Sequence, residues 1–145
     1  LAAGRPEGGT EGSRLYRNDL APGPDGRLRP RFVDVTRGTA AGVHLYGLGV
    51  ATGDVDGDGF VDLLLTGFDS GEPTSPGALR LLHNVAGTRF EEATVRAGLR
   101  TSGFAVSATF FDFDRDGDLD LFAPRYVDYP LAPVISCFCA SGCAG

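Results

Sequence analysis

Two short stretches hold most of the side chains able to do chemistry. Loop one is Asp54-Val55-Asp56-Gly57-Asp58-Gly59-Phe60-Val61-Asp62, and loop two is Asp112-Phe113-Asp114-Arg115-Asp116-Gly117-Asp118-Leu119-Asp120. Each puts carboxylates at loop positions 1, 3, 5 and 9, with Gly at position 6. Asp at alternate positions followed by a turn-making Gly supplies the oxygens that a hard cation needs, and Ca²⁺ takes about six to eight of them at about 2.3–2.6 Å. Position 7 is expected to add a backbone carbonyl, from Phe60 in loop one and Asp118 in loop two. Four carboxylates in nine residues repel one another unless a cation sits between them. The expected ligands are therefore Asp54, Asp56, Asp58, Phe60 and Asp62, then Asp112, Asp114, Asp116, Asp118 and Asp120. The expected cofactor is Ca²⁺, one ion per loop. The bland alternative is a pair of Asp/Gly-rich turns without metal.

An EF-hand would need a bidentate Glu at position 12 between two helices. Position 12 is Leu65 in one loop and Ala123 in the other. The following stretches, Val61-Asp62-Leu63-Leu64-Leu65-Thr66-Gly67 and Leu119-Asp120-Leu121-Phe122-Ala123-Pro124, are short apolar runs ended by Gly or Pro, which suit buried strands. The ninth-position Asp is then expected to close each site, and both loops read as strand–loop–strand calcium sites. A calcium-linked dimerisation module of the dockerin kind is disfavoured by the same strand-like flanks.

The elements that must position these loops repeat along the chain. Arg14-Leu15-Tyr16-Arg17-Asn18 matches Arg80-Leu81-Leu82-His83-Asn84, and Arg31-Phe32-Val33-Asp34-Val35-Thr36 matches Arg89-Phe90-Glu91-Glu92-Ala93-Thr94. Ala41-Gly42-Val43 matches Ala97-Gly98-Leu99, and then the two loops match. Phe32 to Phe90 and Asp54 to Asp112 span the same interval, whereas copy one carries a longer first turn from Asp19 onward. Each copy reads as four short strands, near 14–17, 31–36, 47–53 and 61–66, then near 80–83, 89–94, 104–111 and 119–124. The expected organisation is a flexible lead-in over 1–12, repeat one over 13–68, a Pro/Gly/Ser-rich connector over 69–79, repeat two over 80–126, and a Cys-containing tail over 127–145. Four-stranded units at this period indicate an all-β fold built from β-propeller blades. Two blades do not close a ring, so further blades of the same polypeptide are expected beside them.

Composition agrees with this reading. The chain has 145 residues with 42% hydrophobic content, 22 Gly and nine Pro, which is enough for a packed β core with many turns. Net charge is −6, and nine of the 19 acidic residues lie in the two loops. Every basic residue is Arg, and the Arg residues form no stripe for nucleic acid. No apolar run reaches the length of a membrane span, and no signal peptide is visible. With no Met in the chain, a processed or truncated piece of a longer product is expected. Cys137, Cys139 and Cys143 cluster at the end, where disulfides to partners further on are expected over a metal knuckle.

The stretch Gly47-Leu48-Gly49-Val50-Ala51-Thr52-Gly53 with loop one and Leu63 resembles the FG-GAP or VCBS-type repeat of integrin-like β-propellers. Copy two departs at Ala108-Thr109-Phe110-Phe111, where Phe replaces the Gly before the loop. Leu15-Tyr16-Arg17-Asn18, Phe32-Val33-Asp34-Val35-Thr36 and Tyr126-Val127-Asp128-Tyr129 are similar to the secreted cartilage acidic protein-like family, whose members carry an ASPIC/UnbV segment after the propeller. The resemblance implies structural Ca²⁺, a secreted, periplasmic or cell-surface location, and a binding or structural module with a protein or glycan ligand. The alternative is part of a Ca²⁺-dependent propeller lyase or hydrolase acting on polysaccharide. Its base would come from His44, His83, Tyr16, Tyr46, Tyr126 or Tyr129. His83 takes the place of Arg17 in the repeat and is expected on a strand surface; His44 falls in a variable turn. No Ser–His–Asp or Cys–His arrangement is apparent, so no catalytic residue is assigned. Phe32, Phe90, Phe110, Phe111 and Phe122 are expected in the core.

Overall fold

Asp62-Leu63-Leu64-Leu65-Thr66-Gly67-Phe68 is almost continuously apolar, as expected of a strand covered on both faces. In the computed structural model, which describes residues 12–68, 77–99 and 102–125, this segment is such a strand. The strands in chain order are β1 (Tyr16–Asn18), β2 (Ala21–Pro22), β3 (Leu28–Arg29), β4 (Phe32–Asp34), β5 (Tyr46–Gly53), β6 (Asp62–Phe68), β7 (Leu79–Val85), β8 (Arg89–Glu92), β9 (Thr109–Phe111) and β10 (Asp120–Phe122). All pairings are antiparallel. Among the described residues there is no helix, and hence none long and apolar enough to cross a membrane. The lead-in up to residue 11, the connector over 69–76, Tyr126, Tyr129, the three cysteines and the tail lie outside the described residues.

The pairing corrects the expected assignment of strands to sheets. Among the described residues one four-stranded sheet forms, with the order β5-β6-β7-β8. It joins the last two strands of copy one to the first two of copy two, so it straddles the boundary between the sequence copies. The remaining strands form two-stranded ribbons, β1-β4, β2-β3 and β9-β10. The β1-β4 ribbon is the sequence counterpart of β7-β8, and β9-β10 that of β5-β6. The long first turn of copy one folds into the extra β2-β3 ribbon, with Ala21 opposite Arg29 and Pro22 opposite Leu28.

One face of the sheet carries Ala51, Leu64, Leu81 and Ala93, all buried, and Ala108, Phe110 and Leu121 from the following ribbon pack against it. Burial of a Leu side chain contributes about 1.5–3 kcal/mol, so Leu64 and Leu81 anchor this face. Small residues on β5 let the next ribbon come close. A Cβ added at Gly49 would lie 2.9 Å from the Val106 carbonyl oxygen, and one at Gly53 would lie 3.0 Å from the Phe110 and Leu119 side chains. Past β8 the sheet edge is closed by Thr94, whose hydroxyl accepts from the Leu81 N–H at 2.9 Å and donates to Glu92. On the other side a cleft of about 290 Å³ separates the β1-β4 ribbon from β7-β8, and the Ala40 N–H reaches the Phe90 carbonyl at 2.9 Å.

The expected aromatic core divides. Phe110 packs against the buried face and Phe90 is half-buried, whereas Phe32, Phe111 and Phe122 are exposed. Those three stand on two-stranded ribbons, which among the described residues carry no further strands over them. On the β1-β4 ribbon Asp34 is held below the usual carboxylate range by Thr36, through its hydroxyl and its N–H, and by Arg14. The Arg14 guanidinium stands 2.9 Å from it.

Candidate metal centre

Each loop leaves the end of one strand and enters the next, loop one between β5 and β6 and loop two between β9 and β10. Their backbones turn alike. Position 4 has a left-handed conformation in both, Gly57 at φ 71° and Arg115 at φ 66°, and so has position 6, Gly59 at φ 89° and Gly117 at φ 97°. The first Asp then caps the turn. In loop one Asp54 accepts from the N–H groups of Asp58 (3.1 Å) and Gly59 (2.9 Å). In loop two Asp112 accepts from those of Arg115 (2.6 Å) and Gly117 (3.2 Å). Such Asx-type bonds are what alternating Asp and Gly residues provide.

The ninth residue ties the loop shut in the same way twice. Asp62 Oδ2 accepts from the Val55 N–H at 3.0 Å, and Asp120 Oδ2 from the Phe113 N–H at 2.7 Å. The surroundings then diverge. Asp62 is fully buried, and its Oδ1 also accepts from the Asn84 N–H at 2.7 Å and meets His83 Nδ1 at 3.2 Å. Asn84 reinforces the junction by donating from Nδ2 to the Val61 carbonyl at 3.0 Å. Asp120 is exposed.

Carboxylates converge in both loops. Asp54, Asp56 and Asp58 bring one oxygen each within 4.8 Å of one another, as do Asp112, Asp114 and Asp120. A further group joins Asp56 and Asp62 to His83. At such separations each pair of ionised carboxylates repels by about 1 kcal/mol even in water-like surroundings. Each carboxylate retains lone pairs beyond those used by the loop N–H groups. The donor set is hard, anionic and oxygen-rich, which fits a Ca²⁺-type cation.

Of the expected ligands, Asp54, Asp56, Asp58, Asp112, Asp114 and Asp120 thus fall into the convergent carboxylate groups. Asp62 turns to Asp56 and His83, and does not group with Asp54 and Asp58. Asp116 and Asp118 are outside the loop-two group; Asp116 accepts from the Asp118 N–H at 2.9 Å. Phe60 donates its N–H to Asp58 at 2.8 Å, and its ring lies beside Gly87.

His83 corrects an expectation. It is not a strand-surface residue: its side chain is 17% exposed and its Nδ1 stands 3.2 Å from Asp62 and 3.3 Å from Asp56. The signal that could have found it is the register of β6 on β7, where Leu63 faces Leu82; one step further brings His83 to Asp62. Among the other proposed bases, His44 is exposed and Tyr46 begins β5, at the opposite end from the loop.

Residues 54–123 match the FG-GAP-like repeat family. The matched stretch opens on the first carboxylate of loop one, closes just after β10, and takes in both loops and the last three strands of the four-stranded sheet. Neither the curated proteins nor the solved structures gave a match.

Proposed function

We propose that this chain is a segment of a calcium-stabilised extracellular β-propeller that serves as a binding or structural interaction module. The observation that carries the reading is the convergence of three carboxylates in each of two loops of like backbone, inside a stretch that matches FG-GAP-like repeats. The all-β architecture supports it. So does the order of the parts: the counterpart of β7-β8 (β1-β4), a full four-stranded sheet, and the counterpart of β5-β6 (β9-β10) follow one another along the chain, as successive blades of a ring would. Further blades of the same polypeptide would cover the exposed Phe111 and Phe122. In loop one Asp54, Asp56 and Asp58 would hold the ion, and in loop two Asp112, Asp114 and Asp120. The ion's part is to neutralise the carboxylates and pin the turn between two strands. The narrower likeness to the cartilage acidic protein-like family, a secreted, periplasmic or cell-surface location, and a protein or glycan partner belong to the same proposal.

Calcium titration by calorimetry, with circular dichroism recorded alongside, tests the reading on the chain and on the double variant Asp56→Ala/Asp114→Ala. Two Ca²⁺ per chain, both lost in the variant, is the expected result. A folded chain that takes up no ion at millimolar Ca²⁺ would overturn it and leave the loops as plain turns.

A further inference from the structure

We propose that His83 makes loop one a selective site for a zinc-class divalent ion, held by Asp56, Asp62 and His83. The proposal rests on the reading of loop one as a cation site and goes beyond it in the metal class.

The donors differ in kind from those of the carboxylate groups. Imidazole nitrogen suits borderline ions such as Zn²⁺, whereas an all-oxygen set suits Ca²⁺ and Mg²⁺. Nδ1 lies 3.2 Å from Asp62 Oδ1 and 3.3 Å from Asp56 Oδ2. Donors bound at about 2.0–2.1 Å around a tetrahedral ion stand about 3.3 Å apart, so Nδ1 already has ligand spacing to both carboxylates, and the ligand atoms of the three residues all lie within 4.8 Å of one another. One ring nitrogen has a single hydrogen or a single lone pair to offer two carboxylates, and an ion between them would engage all three.

The site is also built rigidly. Asp62 and His83 sit on neighbouring strands, and the Val55 and Asn84 N–H groups fix the Asp62 carboxylate. Such outer contacts orient ligands and tune their basicity. Asp56 is half-exposed, which leaves a way in for the ion and room for water as a further ligand. It also belongs to the carboxylate group of loop one, so the two kinds of ion compete for it. Among the described residues, the three-donor group of loop two contains carboxylates only.

The test is a Zn²⁺ titration of the ¹⁵N-labelled full chain, following the imidazole nitrogens by NMR. The chain contains two histidines, and exposed His44 serves as the internal control. Zn²⁺ is expected to move the His83 Nδ1 resonance, to leave His44 unmoved, and to be displaced by excess Ca²⁺. In His83→Gln the affinity for Zn²⁺ at this site should fall about tenfold or more, with Ca²⁺ binding within about twofold of the parent. Zn²⁺ taken up by Cys137, Cys139 and Cys143 would leave both rings unmoved, and an unmoved His83 overturns the proposal. Calcium uptake at both loops with an unmoved His83 would sink the zinc site alone and mark His83 as a plain hydrogen-bonding residue. A shifted His83 in a folded chain that takes up no Ca²⁺ would instead sink the calcium reading and keep the zinc site.

Discussion

Loop one and loop two share a motif, a backbone shape and the bond from position 9 to position 2, yet they rest on different foundations. Beneath loop one stands a four-stranded sheet, so Asp62 is sealed by β7 through Asn84 and His83. Among the described residues loop two tops a two-stranded ribbon, on which Asp120 is exposed. Local sequence therefore determines how the chain turns, because Asx bonds and left-handed positions need only near neighbours. The third strand determines what the carboxylates feel, because burial and cross-strand donors come from residues far along the chain.

The largest expected effect breaks this contrast at position 9. Asp62→Ala leaves two part-buried N–H groups, those of Val55 and Asn84, without their acceptor, and an unsatisfied donor shielded from water costs about 1–3 kcal/mol. A destabilisation of about 3 kcal/mol is expected by urea denaturation in metal-free buffer. Asp120→Ala releases one exposed N–H, and about 0.5–1 kcal/mol is expected. Equal losses in the two variants would mean that burial by β7 does not distinguish the loops.

A second effect concerns how closely neighbouring layers approach. At Gly49 a new methyl would press on the Val106 backbone and on the buried Thr66 hydroxyl, both 2.9 Å away, where neither can swing aside as a flexible side chain would. Overpacking of this kind costs about 1–3 kcal/mol, and Gly49→Ala is expected to lose about 2. Its counterpart in copy two is Ser107, already larger and exposed. Ser107→Ala should change stability by less than about 0.5 kcal/mol. Thermal melts of the two variants compare the sides directly, and a harmless Gly49→Ala would show that the layers are not held at this distance.

Much of the site was legible because it is local. Alternating Asp with Gly at position 6 announces both the turn and the carboxylate cluster, and the apolar runs after each loop announce strands. The repeat was legible too, but its phase was not. A tandem repeat can be cut anywhere, and motif order does not say whether Arg80–Asn84 pairs only forward within its own copy or also backward with Asp62–Phe68. It does both, with Leu63 on Leu82 and Leu64 on Leu81 behind it and Asn84 on Phe90 ahead. His83 was hidden by the same ambiguity, since its place beside Asp62 exists only once that register is chosen. The exposed Phe111 and Phe122 were misjudged for a related reason. Their apolar character reports a face that can be covered, and the ribbon that carries them has two strands among the described residues.

The smallest effect sharpens what the two loops share. Loop two carries Arg115 at the left-handed fourth position, where loop one has Gly57. A non-Gly residue there costs about 1 kcal/mol through the crowding of Cβ against its own backbone. Gly57→Ala meets no neighbouring atom, so its cost is the conformational one alone. It is expected to destabilise by about 1 kcal/mol, less the entropy that Ala saves in the unfolded chain. Arg115→Gly should act in the opposite sense by about 0.5 kcal/mol. Added Ca²⁺ should raise the stability of both variants by the same amount as in the parent, because both keep the carboxylates that would hold the ion. A calcium increment that shrinks in Gly57→Ala but stays whole in Arg115→Gly would mean that the ion depends on the left-handed turn itself. Equal and unchanged increments would place its grip on the carboxylates alone.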